Sequence, residues 1–197
     1  MKTAIKLVLI DLVIAQIVAP VLIMIPCTIY LLVTTGNLDK AVLTQTIIIP
    51  AQLAGQIMMG IYLWKAGYIS TKKETWSLVS APYLLGSAVA ILTSGFVVSS
   101  LMSLLDWNIM EQSFDILQSG WGGILAIAIV GPVLEELLFR GAITKALLQQ
   151  YNPTKAILIS ALLFGVFHIN PAQILPAFLI GILLACYWHG HTIKPLA

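Results

Sequence analysis

The sequence predicts an all-α fold, a polytopic transmembrane helical bundle of about six spans with both termini on the cytoplasmic side. Three observations carry that prediction. Of the 197 residues, 59% are hydrophobic and 9% charged, and the mean hydropathy is +0.99. A soluble domain carries about 45–50% apolar and about 25% charged residues. The apolar residues form continuous runs, long enough for the roughly 20 residues that cross a hydrocarbon core, without the period-two alternation of a membrane barrel. The basic residues then fall almost wholly on one set of alternate gaps between the runs.

The first run extends from Leu7 to about Val33. Lys2 and Lys6 precede it, but its length and the lack of a small-residue cleavage pattern mark a retained helix rather than a signal peptide. Pro20 and Pro26 predict a kink or an early stop within it. The second run covers Ala41 to Trp64, the third Ser77 to Leu105, and the fourth begins at Trp121 and reads to Phe139. Thr154 to Ile169 and Ala172 to Trp188 complete the set. With the amino terminus inside, the cytoplasmic segments hold Lys2, Lys6, Lys65, Lys72, Lys73, Arg140, Lys145, Lys155 and Lys194, and the outer segments only Lys40. That asymmetry gives N-in and C-in.

Trp64, Trp76, Trp121 and Trp188 close the runs as interfacial anchors. Ala51-x-x-x-Gly55 and Gly86-x-x-x-Ala90 either let helices approach closely or are ordinary membrane-helix composition. Cys27 and Cys186 lie inside apolar runs and read as packing residues. A net charge of +2, with no basic tract longer than Lys72-Lys73, excludes a nucleic-acid partner. Residues 1–197 form one integral-membrane domain in a multi-pass protein of the cell membrane. Its motif-bearing core is 121–188, and 1–120 supply variable membrane helices.

A few charges do not sit in the gaps. The fourth run carries Glu135 and Glu136 and ends at Arg140. An acid at the centre of a membrane helix costs roughly 2.5–3.5 kcal/mol on insertion scales. Glu136 and Arg140, at i and i+4 with the acid first, can form a partly buried ion pair. Glu135 points about 100° away from Glu136 and is left for another partner. Pro132 cannot donate to the carbonyl of Ala128, which predicts a bend just before the two acids.

The fifth run contains Phe164 and His168, and Tyr151-Asn152-Pro153 is a turn signal between the two runs. Counting 17 residues back from Asn152 to Glu135 and 16 forward to His168 sets both at roughly 24–26 Å from the turn of an antiparallel hairpin. A carboxylate and an imidazole converging in a low-dielectric cavity form a water-activating pair. A histidine bonded to a backbone carbonyl at a helix end is the plainer reading of His168 alone.

Glu135-Glu136-x-x-x-Arg140 followed by Phe164-x-x-x-His168 resembles the first two motifs of the CAAX-processing and bacteriocin-processing (CPBP) intramembrane proteases, among them the type II CAAX prenyl endopeptidases. The resemblance is confined to the chain after residue 120. It implies an all-helical membrane bundle with a cavity opening within the bilayer, and endopeptidase activity on a membrane-associated or lipid-modified peptide. By position, Glu135 is implied as the base that activates water and His168 as its assistant. Glu136 and Arg140 are implied to orient the site, and Phe164 to shape its wall. Family members carry a further helix with His-x-x-x-Asn or Asp, placed to stabilise the oxyanion. Here the tail from His191 to Ala197 resembles the loop before that helix, and the third motif is absent. His189 and His191 fall in that loop and are not given its role. Losing oxyanion donors typically costs about 10²–10³ in rate per donor. The expectation is thus either a sequence cut short of that helix or a weak or inactive relative.

No metal and no cofactor is expected. A catalytic zinc needs three protein ligands, one intramembrane histidine is present, and no HExxH occurs, so zinc is the lesser alternative. The partners implied are the peptide substrate and the lipid bilayer, while the sequence leaves the oligomeric state open. Asp11 either lines a pathway or, the plainer reading, snorkels or pairs with Lys6. The competing functional class is a non-catalytic membrane protein of the same fold, acting in bacteriocin self-immunity or regulation.

Overall fold

A computed structural model describes residues 1–69 and 120–192, with the isolated positions 86, 89, 93, 96 and 100. The described residues fold into helices: α1 (Lys2–Thr35), α2 (Lys40–Lys65), α3 (Trp121–Leu148), α4 (Pro153–Phe167) and α5 (Pro171–Thr192). Among them α1, α2 and α3, at 34, 26 and 28 residues, are long and apolar enough to cross a membrane. The fifth and sixth expected runs form the shorter apolar helices α4 and α5. The third expected run, with Gly86-x-x-x-Ala90, lies outside the described residues apart from the five isolated helical positions.

Helix starts follow from local chemistry. The Asp39 carboxylate accepts from the backbone N–H groups of Ala41 and Val42 at 2.7 and 3.1 Å and caps α2. Asn152 accepts from the Lys155 N–H at 2.9 Å, and Pro153 occupies the first position of α4, where its missing donor is harmless. The turn at Tyr151-Asn152-Pro153 therefore forms where the sequence sets it.

Pro20 does not stop α1. A π-helical stretch, Ile14–Val18, precedes it, and the Ala19 N–H reaches back to the Ile14 carbonyl. The same solution recurs in α3, where the π-helical stretch Leu125–Val130 ends just before Gly131-Pro132 and the Gly131 N–H reaches the Ala126 carbonyl. In both cases the wider turn takes up the carbonyl mismatch that a proline creates. A second π-helical stretch in α3, Leu137–Thr144, carries Arg140. Such stretches are frequent at functional sites.

The chain divides into two compact units. The first takes in 5–69 and 120–138 of the described residues, the second 1–4 and 139–192. In the first unit α1 and α2 pack antiparallel. A Cβ on Gly55 would lie 3.2 Å from the Ala15 Cα, so the Ala51-x-x-x-Gly55 pattern is a true close approach. Ala51, Met59 and Leu63 continue that buried stripe. The neighbouring stripe of α2 meets α3. Gln56 Nε2 donates to the Ala126 carbonyl at 3.1 Å, and a Cβ on Gly60 would lie 3.4 Å from Leu134. The two cysteines are free thiols, with Cys27 Sγ 3.9 Å from the Thr46 carbonyl.

In the second unit α4 and α5 pack through glycine. A Cβ on Gly165 would lie 2.8 Å from the Ile174 carbonyl oxygen, which is backbone and cannot swing away. Gly165→Ala is therefore expected to lower stability by about 1–3 kcal/mol, the range for overpacked cores. Gly190→Ala meets nothing within 4 Å and is expected to stabilise by about 1 kcal/mol through helix propensity. Thermal unfolding of both variants in detergent checks the pair; equal midpoints would contradict the packing.

Candidate active site

The second unit assembles three of the five residues that the sequence singled out. Arg140 on α3 is 2% exposed, and its guanidinium carbon lies 4.8 Å from the centre of the Phe164 ring. Nη2 of Arg140 donates to the Gly181 carbonyl of α5 at 3.3 Å. Phe164 is also packed edge-on against Phe139 and His168, each with ring centres 4.8 Å apart. One turn away from Arg140 and from Phe164, the hydroxyls of Thr144 and Ser160 share a fully buried hydrogen bond of 2.7 Å. Thr144–Ser160 and Arg140–Phe164 are successive rungs between α3 and α4. They run in the register that counting outward from Asn152 gives.

Thr144 and Ser160 went unnoticed in the sequence because hydroxyls are common in membrane helices. The signal available was spacing, since each lies four residues from Arg140 or Phe164, on the same helical face. With its partner gone, each hydroxyl would be buried unsatisfied, at about 1–3 kcal/mol. Thr144→Val and Ser160→Ala are each expected to destabilise by that amount, and the double variant by clearly less than their sum. A double-mutant cycle on detergent unfolding reads the coupling; strict additivity would remove the hydrogen bond from the account.

His168 closes α4 and is half-buried. Its Nδ1 lies 2.9 Å from the Phe164 carbonyl oxygen. A carbonyl only accepts, so Nδ1 carries the proton, and Nε2 of the neutral ring is left as an acceptor. The plainer sequence reading, a histidine tied to a backbone carbonyl at a helix end, is thus what the structure shows. The same bond fixes the tautomer and direction that a water-binding imidazole requires. Beyond His168 the chain turns tightly, with the Asn170 N–H donating to the His168 carbonyl. Ile169, at the centre, has φ +60°, a left-handed conformation unfavourable for a β-branched residue. Asn170 is fully buried and its carbonyl accepts from the Gln173 N–H at 2.9 Å as α5 begins.

Glu135 and Glu136 belong to the first unit, where both are half-buried on α3. In that unit Asp11 of α1 is 8% exposed. Lys6 is exposed. Asp11 is thus buried and does not snorkel. One further expectation is corrected, because His189 and His191 lie within α5, which runs to Thr192, and not in a loop. The apolar run from Pro171 onward simply keeps its helical backbone through Thr192. Among the described residues no three His, Cys, Asp or Glu side chains converge as a metal site.

Membrane-length helices that carry one buried acid, Asp11, and a buried arginine, Arg140, mark a membrane protein. Residues 117–195 match the model of a protein family described as type II CAAX prenyl endopeptidase Rce1-like. All five motif residues fall within the match. No curated protein and no solved structure matches the chain.

Proposed function

We propose that the chain is an intramembrane endopeptidase, multi-pass in the cell membrane with six spans and both termini inside. It hydrolyses a peptide bond of a membrane-associated or lipid-modified peptide. The family match across both motifs carries this reading. The Glu135 carboxylate takes a proton from water, the hydroxide adds to the scissile carbonyl, and the proton passes to the leaving amine as the C–N bond breaks. His168, through Nε2, holds the water. Glu136 and Arg140 orient the site, and Phe164 shapes its wall. Two observations within the second unit support these roles: the tautomer fixed by the Phe164 carbonyl, and the Thr144–Ser160 and Arg140–Phe164 rungs in the expected register. A base of this kind needs no metal.

The test is cleavage in liposomes of membrane-anchored peptides, with and without a prenylated cysteine, run in ¹⁸O-labelled water with mass spectrometry of the products. One ¹⁸O in the new carboxyl terminus is expected. No cleavage of any peptide by folded protein would overturn the reading, and loss of cleavage in chelator restored by zinc alone would replace its base.

A further inference from the structure

We propose that Gln56 of α2 is a positioning residue that sets the rotational phase of Glu135 on α3. The inference rests on the proposed role of Glu135 as base, and every residue it uses lies in the first unit. An α-helix would pair the Gly131 N–H with the Ile127 carbonyl, but after the π-helical stretch Leu125–Val130 it reaches Ala126 instead. One residue more in the turn rotates all that follows by about 100° relative to an unbroken α-helix. Gln56 crosses from α2 and donates through Nε2 to that same Ala126 carbonyl at 3.1 Å. The carbonyl thus holds two donors, one from its own helix and one from its neighbour. Gly131 makes room for both: a Cβ there would lie 2.9 Å from the Ala126 oxygen and 3.0 Å from Gln56 Nε2. Glu135 follows Gly131 by four residues, about one turn, and inherits its direction from the widened turn.

Pro132 accounts for some distortion here, since it withholds the donor that Ala128 would accept. It does not select which carbonyl Gly131 takes; the Gln56 amide does, by binding the one that the widened turn presents. Stability alone is no sufficient reason for Gln56. Its Oε1 is buried with no hydrogen-bond partner among the described residues, and an unsatisfied buried oxygen costs more than one neutral hydrogen bond returns. Methionine has nearly the same length and shape and would carry no such cost. The Ala126 carbonyl would still keep its Gly131 donor. An amide held at a net cost is explained by what it keeps in place.

The experiment uses the full chain in liposomes and reads two signals. The first is crosslinking between α2 and α3 by a short bifunctional thiol reagent, after Cys27→Ser and Cys186→Ser. A Cβ on Gly60 would lie 3.4 Å from Leu134, so Gly60→Cys is expected to join Leu134→Cys in preference to Val133→Cys. Adding Gln56→Met removes the extra residue from the turn and is expected to move that preference from 134 to 133. A preference that stays at 134 would overturn the proposal. This signal needs no turnover, so it decides whether Gln56 sets the phase even if no peptide is cleaved and the proteolytic reading fails. The second is cleavage by an otherwise wild-type chain. Gln56→Met is expected to lower kcat at least about 10²-fold, the effect of misplacing a reacting group by about 1 Å. KM should be nearly unchanged and the unfolding midpoint in detergent no lower than wild type. Wild-type kcat, or a loss of kcat accompanied by a lower unfolding midpoint, would refute the positioning role.

Discussion

Glu135→Gln is expected to reduce peptide cleavage by at least about 10²–10⁴-fold, the contribution of a positioned general base. The substitution keeps shape and removes only the capacity to take a proton, and Glu135 is half-buried, so the fold should persist. His168→Phe is the matching change at the other motif. A phenyl ring retains the edge contacts that His168 makes with Phe164 and Phe167, at 4.8 and 6.1 Å between centres. What disappears is the Nδ1–H bond to Phe164 and the free Nε2. Cleavage of a lipidated peptide in liposomes measures both losses, and helical circular dichroism with thermal unfolding checks the fold. A well-folded Glu135→Gln protein that still cleaves at the wild-type rate would remove the base from the mechanism.

Arg140→Ala carries the largest expected effect on stability, about 2–5 kcal/mol, the range for truncating a large buried side chain. Arg140 is 2% exposed, stacks over Phe164 and donates to the Gly181 carbonyl. The truncation leaves a void and one backbone acceptor without that donor. Arg140→Lys retains the charge but neither the planar face over Phe164 nor the fork that reaches Gly181. It is therefore expected to recover less than half of the loss. Detergent unfolding midpoints of the three proteins test this ranking. A lysine variant as stable as wild type would show that charge alone matters at this position.

The sequence was most informative where the physics is local. Run lengths gave α1, α2 and α3, and Asn152-Pro153 placed the turn before α4, because hydropathy and capping act over a few residues. Arg140, Phe164 and His168 were legible for a related reason, since helical spacing and the motif itself fix their mutual phase. Of the kink or early stop that Pro20 and Pro26 suggested, the early stop does not occur, because whether a helix ends or widens into a π turn depends on neighbours that hold it in place. Asp11 was misjudged for a similar reason. Its closest base along the chain is Lys6, but Asp11 is 8% exposed, on a face that only the packing of α1 against its neighbours creates. Thr144 and Ser160 are invisible individually; only the meeting of two helices turns them into one buried hydrogen bond.

The left-handed turn at Ile169 has an evolutionary consequence. A β-branched residue there holds a conformation that glycine or asparagine would adopt more readily. Selection for stability alone should therefore favour glycine or asparagine at position 169. Selection for turnover should favour retention of isoleucine, if the stiffness of the turn is what keeps His168 in place. Random libraries at this codon, sorted separately for melting temperature and for cleavage, would then diverge. Position 169 would be a site where the most stable variant and the most active variant are different proteins.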